Sequence, residues 1–402
     1  MQKIKFFLFF LLLNSLLSIG IFFATPDHIF GNDFFDFHNA SQATFIEGIS
    51  PYSEEVTLRN QLGVYGKPAE AGQDQLAFNY PPYALLPFLP LAFLPLKWAQ
   101  SIWISFLFSL LLTLPLLAYL RIPRWALMSS FAFYPITFSL ILGNYAILLG
   151  TILIFVIGYL LDKEYASTGL DIFAGALLAF TTIKPQFSAL YLLFILLLAL
   201  QGKRWRFIQS FFISFLVMVA FSFILLPRWP LEWYQQLFKY VESNQAIPHI
   251  SIFFQFFLNA SSAHLLSMVV TGLLVIVLGW LLWKSWLGKV SAQKTLVFIG
   301  FLTYAVHPRT VSYEQIVFLL PFLIWIFSNP PAIPSHTKVA FWFSGILISW
   351  AGFFAARAGW STLFPLEWIF GFYLIWMIYI FLTPSGLPSN AVHLQNHDST
   401  AP

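Results

Sequence analysis

The sequence predicts an all-α polytopic membrane protein, a bundle of about 12 transmembrane helices with a long first outer loop. Three observations carry this. Hydrophobic residues fill 59% of the 402 positions and charged residues only 9%, against about 25% charged in an ordinary soluble domain. Apolar runs near the ~20 residues that a membrane-crossing helix needs recur along the whole chain. The polar exception in the first half is Gly31 to Tyr83, which holds seven of the sixteen Asp and Glu residues. Cysteine is absent, which excludes disulfides, thiolate metal ligands and thiol nucleophiles. Lys and Arg sit at the ends of apolar runs and form no stripe, so the expected partner is the lipid bilayer and not nucleic acid.

In chain order, Lys3 and Lys5 precede the apolar run Phe6 to Ala24. No small-x-small cleavage spacing follows, so this reads as an uncleaved first span with its N-terminus in the cytoplasm. The outer loop, 25–97, carries Phe34, Phe35, Phe37, Phe45, Tyr52, Tyr65, Phe78 and Tyr80, too many apolar rings for a disordered connector. Loops of this length are commonly functional. At its end, Pro82 to Leu96 is an apolar run of 15 residues broken by Pro87, Pro90 and Pro95. If it returns to the outer face, 12 of the 20 basic residues face the cytoplasm; if it crosses, 8 do. The positive-inside rule favours return. Later spans are expected near 98–120, 125–142, 144–161, 168–183, 186–201, 207–226, 264–283, 294–306, 313–328, 338–356 and 363–382. A second outer segment covers 227–263, and 383–402 reads as a disordered cytoplasmic tail.

The polar loop also carries a resemblance. D-F-x-x-F-x-x-A from Asp33, G-x-x-P-Y from Gly48, and F-x-Y-P-P-x-x-x-L-x-x-x-P-L from Phe78 follow one another within about sixty residues. Their order resembles the first outer loop of glycosyltransferase family 87, bacterial polyprenyl-phosphate-dependent mannosyltransferases with the GT-C membrane fold. The resemblance implies a GT-C-type domain over 1–382 in the bacterial plasma membrane, with its active site on the outer face. It places Asp33 on the catalytic aspartate, and Tyr52 and Tyr80 in the second and third motifs.

Other polar residues carry two readings each. Lys184, in T-T-I-K-P-Q between apolar runs, would cost ~2.5–3.5 kcal/mol if held charged at mid-membrane. It is therefore a phosphate contact, matching the family's lysine-proline step, or a side chain snorkelling to the interface. Gly143-Asn144 stands where the family shows Gly-Gln, and reads most simply as a helix-hairpin turn. Asn244 and Gln245 match part of the family's N-Q-S; the serine is Ala246 here. The segment around them also reads as an amphipathic surface helix anchored by Trp229 and Trp233. Tyr313 and Glu314 match the family's tyrosine followed by an acid. Nearby Arg309 is a phosphate ligand or the partner of Glu314, and His307 a site residue or a structural helix end.

Glycosyl transfer from a phosphate-activated donor needs a carboxylate to take the acceptor's proton and cationic groups to hold the departing phosphate. Asp33 with Lys184 and Arg309 would supply both, with no metal and no cofactor required. Asp36 is the competing base, three residues along. The expected activity is inverting transfer of a hexose, commonly mannose in the family, from a polyprenyl-phosphate sugar to a glycolipid or envelope glycan acceptor. A transporter or flippase of lipid-linked sugars is the alternative, although neither inverted repeats nor clear charges within spans support it. A non-catalytic assembly factor would leave the acidic loop unexplained.

Overall fold

A computed structural model describes residues 2–25, 29, 31–70, 73–113, 123–161, 167–244, 247–307, 316, 334–359 and 364–382. Every regular element among them is helical. The polar loop follows α1 (Gln2–Ala24) and holds α2 (Asn32–Gln42), α3 (Glu54–Tyr65), a 3-10 stretch Pro82–Phe88 and the single turn α4 (Leu89–Ala92). The bundle continues with α5 (Leu96–Thr113), α6 (Arg124–Ser129), α7 (Tyr134–Leu142), α8 (Ala146–Leu161), α9 (Thr168–Phe180), α10 (Pro185–Gln201) and α11 (Trp205–Leu225). Then come α12 (Trp229–Asn244), α13 (His249–Gln255), α14 (Ala260–Trp286), α15 (Ala292–Val306), α16 (Ser335–Arg357) and α17 (Phe364–Leu382).

Among the described residues, five helices are long and apolar enough to cross a membrane: Ile4–Ala24, Leu96–Thr113, Trp205–Leu225, Ala260–Trp286 and Ser335–Ala355. A sixth arises if Arg124–Ala132 and Tyr134–Leu142, bent by 65°, form one span. The expected count of about 12 is not reached by length. The apolar runs at 144–161, 168–183, 186–201 and 294–306 give helices of 13 to 17 residues. Gly143 in the left-handed region ends α7, and Pro185 starts α10 without an N–H to continue the helix before it. The expected span 313–328 lies outside the described residues except for Ile316, and the tail 383–402 lies wholly outside.

Packing follows from small residues at helix contacts, since apolar association alone gains little in lipid. On α1 and α5 the hydroxyls of Ser18 and Ser105 meet at 2.5 Å, and Phe22 stacks on Trp98 with Lys97 above its ring. Helices α9 and α11 touch backbone to backbone: a Cβ on Gly175 would lie 2.2 Å from the Phe207 carbonyl oxygen. The outward faces of α11 and α14 stay apolar and exposed, through Leu216, Ile224, Val269 and Ile276, as lipid-facing helices require.

Charge divides the ends of these helices. At one end of α9, Asp171 pairs with Arg204 at 3.0 Å and accepts from the Tyr159 hydroxyl. Lys203 and Arg206 flank Arg204 on that side. At the other end stand Thr182 and Lys184, tied to the outer loop by the Tyr83 hydroxyl, which donates to the Thr182 carbonyl at 3.2 Å. The basic end and the acidic loop are therefore opposite. Pro82–Ala92 covers 11 residues, at most about 22 Å at 3-10 rise, short of the ~30 Å hydrocarbon layer.

The loop itself is ordered by amides. Asn39 donates to Asn60 at 2.6 Å, and Asn60 to the Leu76 carbonyl at 2.8 Å. Helix α12 lies on this loop through residues expected to anchor it in lipid. Trp229 is buried, the Trp233 indole donates to the Asn79 carbonyl at 2.9 Å, and Ser50 donates to Glu232 at 2.6 Å. The exposed apolar face of α12 is instead Leu231, Tyr234 and Phe238. The expectation fails because Trp233 bonds to the loop and Trp229 is buried against Phe223 and Trp233.

Two outcomes test this arrangement. Single cysteines at Lys97 and Arg124, which flank α5, should label from opposite sides of intact cells, and Lys97→Cys from the outside. Gly175→Ala should lower thermal stability by about 1–3 kcal/mol through overpacking, although alanine is the better helix former.

Candidate active site

The site starts at the entry to α2. Gly31, in extended conformation, precedes the helix, and a Cβ there would lie 2.7 Å from the Leu142 carbonyl oxygen. The chain can thus pass directly against the end of α7. From there Phe34, Phe37 and His38 recur at helical spacing and are buried. Phe37 meets Tyr80, Phe88 and Tyr145 with ring centroids 5.2, 5.3 and 4.6 Å away. Phe88 in turn lies 4.4 Å from Trp103. These rings form an aromatic floor joining α2, the 3-10 stretch, α5 and the start of α8. His38 Nε2 lies 3.1 and 3.2 Å from the carbonyls of Leu91 and Leu94, so it carries the proton and pins α2 to the proline-broken segment. Burial lowers the His38 pKa and keeps the ring neutral.

Asp33, half-buried in the first turn of α2, accepts a hydrogen bond from Asn144 Nδ2 at 2.5 Å. Asn144 is itself buried and oriented, because its Oδ1 accepts from the Ala146 N–H at 2.8 Å. That bond caps α8 and leaves only the NH2 to face Asp33. Gly143 permits the turn with φ +67°, and its carbonyl accepts from the Trp103 indole at 2.7 Å. A simple hairpin turn is thus too modest a reading for Gly143-Asn144. The contact of Asn144 with Asp33 is what sequence reasoning missed, and the available signal was a cap-forming residue two positions before an apolar helix.

Asp36, one turn on, has a different environment. Its Oδ1 is sealed from solvent and has no hydrogen-bond partner among the described residues. Its pKa stands well above the ordinary carboxylate range, first through burial, then through the negative charges of Asp33 and Asp74. The raised pKa favours the protonated form of Asp36, which leaves Asp33 the better placed carboxylate of the two.

Lys184 is only 2% exposed, which removes the snorkelling reading. It sits at the break between the 3-10 turn Thr181–Ile183 and α10. Its ammonium lies 5.5 Å from the centre of the Tyr80 ring, beside the positive end of the α10 dipole. The Tyr52 hydroxyl donates to the Tyr80 carbonyl at 2.6 Å, so the second and third loop motifs meet at one bond. Gly48, with φ +70°, closes the π-helical turn Ala43–Glu47 and directs the chain toward Tyr52. Asp33, Asp36, Tyr52, Tyr80 and Lys184 therefore gather around the aromatic floor.

The remaining candidates are placed elsewhere or not described. His307 ends α15, where its carbonyl accepts from the His249 N–H at 3.3 Å. Asn244 is the last residue of α12. Gln245, Arg309, Tyr313 and Glu314 lie outside the described residues. No group of three or more His, Asp or Glu side chains suited to a metal ion occurs among the described residues.

A family model for glycosyltransferase family 87 matches residues 78–308, more than half of the chain. The chain belongs to that family. It is a membrane glycosyltransferase. The match takes in the Tyr80-Pro81-Pro82 motif, Asn144, Lys184 and His307, and begins after Asp33. No curated protein and no solved structure matches the chain.

Two measurements bear on the carboxylates. Asn144→Leu removes one donor from the Asp33 carboxylate and should lower turnover about tenfold, the cost of one charged hydrogen bond. For Asp36, the raised pKa means that the unfolded chain ionises first. Wild-type stability should therefore fall as pH rises above the ordinary carboxylate value. Asp36→Asn lacks that loss, so its thermal midpoint relative to wild type should climb as pH rises from about 4.

Proposed function

We propose that the chain is an inverting hexosyltransferase with Asp33 as general base and Lys184 on the donor phosphate. It moves mannose from a polyprenyl-phosphate carrier to a lipid-linked or envelope glycan at the outer face of a bacterial plasma membrane. The bundle is of the GT-C type with about 12 spans, several of them broken, and 25–97 forms its catalytic outer loop. The observation that supports this reading is the pairing on one aromatic floor, with Asp33 held by Asn144 and the Lys184 ammonium above Tyr80.

In the reaction, the acceptor's hydroxyl oxygen attacks the anomeric carbon on the face opposite the phosphate. The bond from that carbon to the phosphate oxygen breaks, and its electron pair leaves with the phosphate. The hydroxyl proton passes to the Asp33 carboxylate. Lys184 and the α10 N-terminus offset the charge that grows on the leaving group. The raised pKa of Asp36 favours its neutral form, which limits the negative charge beside Asp33. Tyr52 and Tyr80 shape the sugar side of the site. Arg309, with Tyr313 and Glu314, is a further candidate for the phosphate side, and Asn244, Gln245 and His307 for sugar contacts. A monophosphate neutralised by such side chains requires no metal in this scheme.

Proteoliposomes given a radiolabelled polyprenyl-phosphate mannose and a membrane lipid extract test the proposal. Label should pass to a lipid acceptor; a flippase would move the donor across without cleaving it. Asp33→Asn should cut turnover by about 10²–10⁴-fold with donor affinity little changed, while Asp36→Asn should retain most activity. Lys184→Ala should raise KM or lower kcat, according to whether the phosphate contact is made in the ground state or only in the transition state. Near-normal turnover in Asp33→Asn would withdraw its role as base.

A further inference from the structure

Beside the aromatic floor the outer loop and α12 enclose a groove of about 500 Å³, within the range of small-molecule sites. It runs between α3, residues 75–77 and α12, and it is lined by Tyr52, Thr57, Gln61, Gln75, Gln236 and Tyr240. Its only charged lining residues are Glu54 and Lys239, which face each other at 3.8 Å with side chains 96% and 65% exposed. So exposed a pair contributes little attraction for an ion, and the interior is neutral.

The lining divides into groups already satisfied and groups left open. Gln61 donates to the Gln75 carbonyl at 3.0 Å and accepts from the Ala69 N–H at 3.0 Å. Gln75 donates to the Gln73 carbonyl at 3.0 Å. These amides hold the wall together. Gln236 is different: only 7% of the residue is exposed, it lines the groove, and its amide, with no hydrogen bond among the described residues, is not sealed from solvent. A ligand hydroxyl can therefore replace water at this amide without breaking a protein hydrogen bond. It offers both donors and an acceptor, the complement of a vicinal diol, while Tyr52 and Tyr240 supply ring faces for the C–H side of a pyranose. Tyr52 belongs to both places, with its ring in the groove wall and its hydroxyl on the Tyr80 carbonyl.

We infer that this groove binds a neutral sugar unit of the glycan acceptor and that Gln236 is its specificity contact. The inference rests on the reading of Asp33 and Lys184 as the reacting site, which the groove adjoins through Tyr52 and Tyr80. A glycan lying in it would have its non-reacting residues held by α3 and α12. Its terminal hydroxyl would then be left to approach Asp33.

Saturation-transfer NMR on the full-length chain in nanodiscs, with methyl α-mannoside and an α-linked mannobiose as probes, tests this directly. Wild type and Asp33→Asn should both transfer saturation to the sugar ring protons. Gln236→Leu, nearly equal in volume, should weaken mannobiose binding about tenfold, the effect of one or two lost hydrogen bonds. Thr57→Trp, which fills the groove from α3, should abolish the same signal while eluting as wild type on size exclusion. Binding that survives both variants, or no transfer to either sugar in wild type, overturns the inference. Loss in Asp33→Asn with retention in Gln236→Leu overturns it also, by putting the sugar in the reacting site. None of these results alters the turnover loss expected of Asp33→Asn, so failure here and failure of the catalytic reading are separable.

Discussion

The hydrogen bond from Asn144 to Asp33 ties the polar loop to the bundle, and much of the remaining geometry exists to make it possible. The two residues are 111 positions apart. For them to meet, α7 must stop, the chain must turn within two residues, and α2 must approach the turn without a side chain in between. Gly143 supplies the turn and Gly31 the approach. The Trp103 indole holds the turn's carbonyl, and Asn144 spends its own oxygen on the start of α8. A single amide therefore caps a helix and orients a carboxylate, which is why neither group is free to rotate.

The bundle's electrostatics follow from where its helices break. A long continuous helix would place Lys184 within apolar surroundings with nothing to support its charge. The 3-10 turn before it and Pro185 after it open the backbone at that point, and the Tyr80 ring lies within cation–π reach. The opposite ends of α9 and α10 carry the Asp171–Arg204 pair and its basic neighbours. One set of helices thus presents a buried cation on the loop side and a cluster of arginine and lysine on the other, which agrees with the charge asymmetry that sets membrane orientation.

Asp33 and Lys184 were legible in the sequence because each breaks a strong local rule. An acid in a phenylalanine-rich motif and a lysine between apolar runs both demand an explanation. The choice between Asp33 and Asp36 was not legible, since it depends on which of two neighbouring carboxyls is sealed from solvent by the tertiary fold. Asn144 showed its capping signal, but its partner could not be read from positions so far apart. His38 looked like any polar loop residue until its two carbonyl partners were in place. The lengths of the individual helices were not legible for a related reason. Hydropathy measures apolar runs, whereas helix length is set by the glycines and prolines that interrupt them. Trp229 and Trp233 resembled interface anchors because tryptophan suits a membrane surface as well as a packed interior, where Trp229 lies, or a loop carbonyl, which Trp233 meets.

Gly31 and Gly143 face each other across one contact. A Cβ on the first would strike the Leu142 carbonyl oxygen, and a Cβ on the second would strike Phe34 Cβ at 2.8 Å. Both collisions push α2 in the same direction, away from the end of α7. A chain that has already accepted a side chain at Gly31 has therefore already made much of the displacement that one at Gly143 would demand. The two positions are coupled: the second substitution costs less in the presence of the first than alone, apart from the backbone strain at φ +67° that belongs to Gly143 itself. Evolutionary drift at this junction should be epistatic, with the pair changing together or not at all.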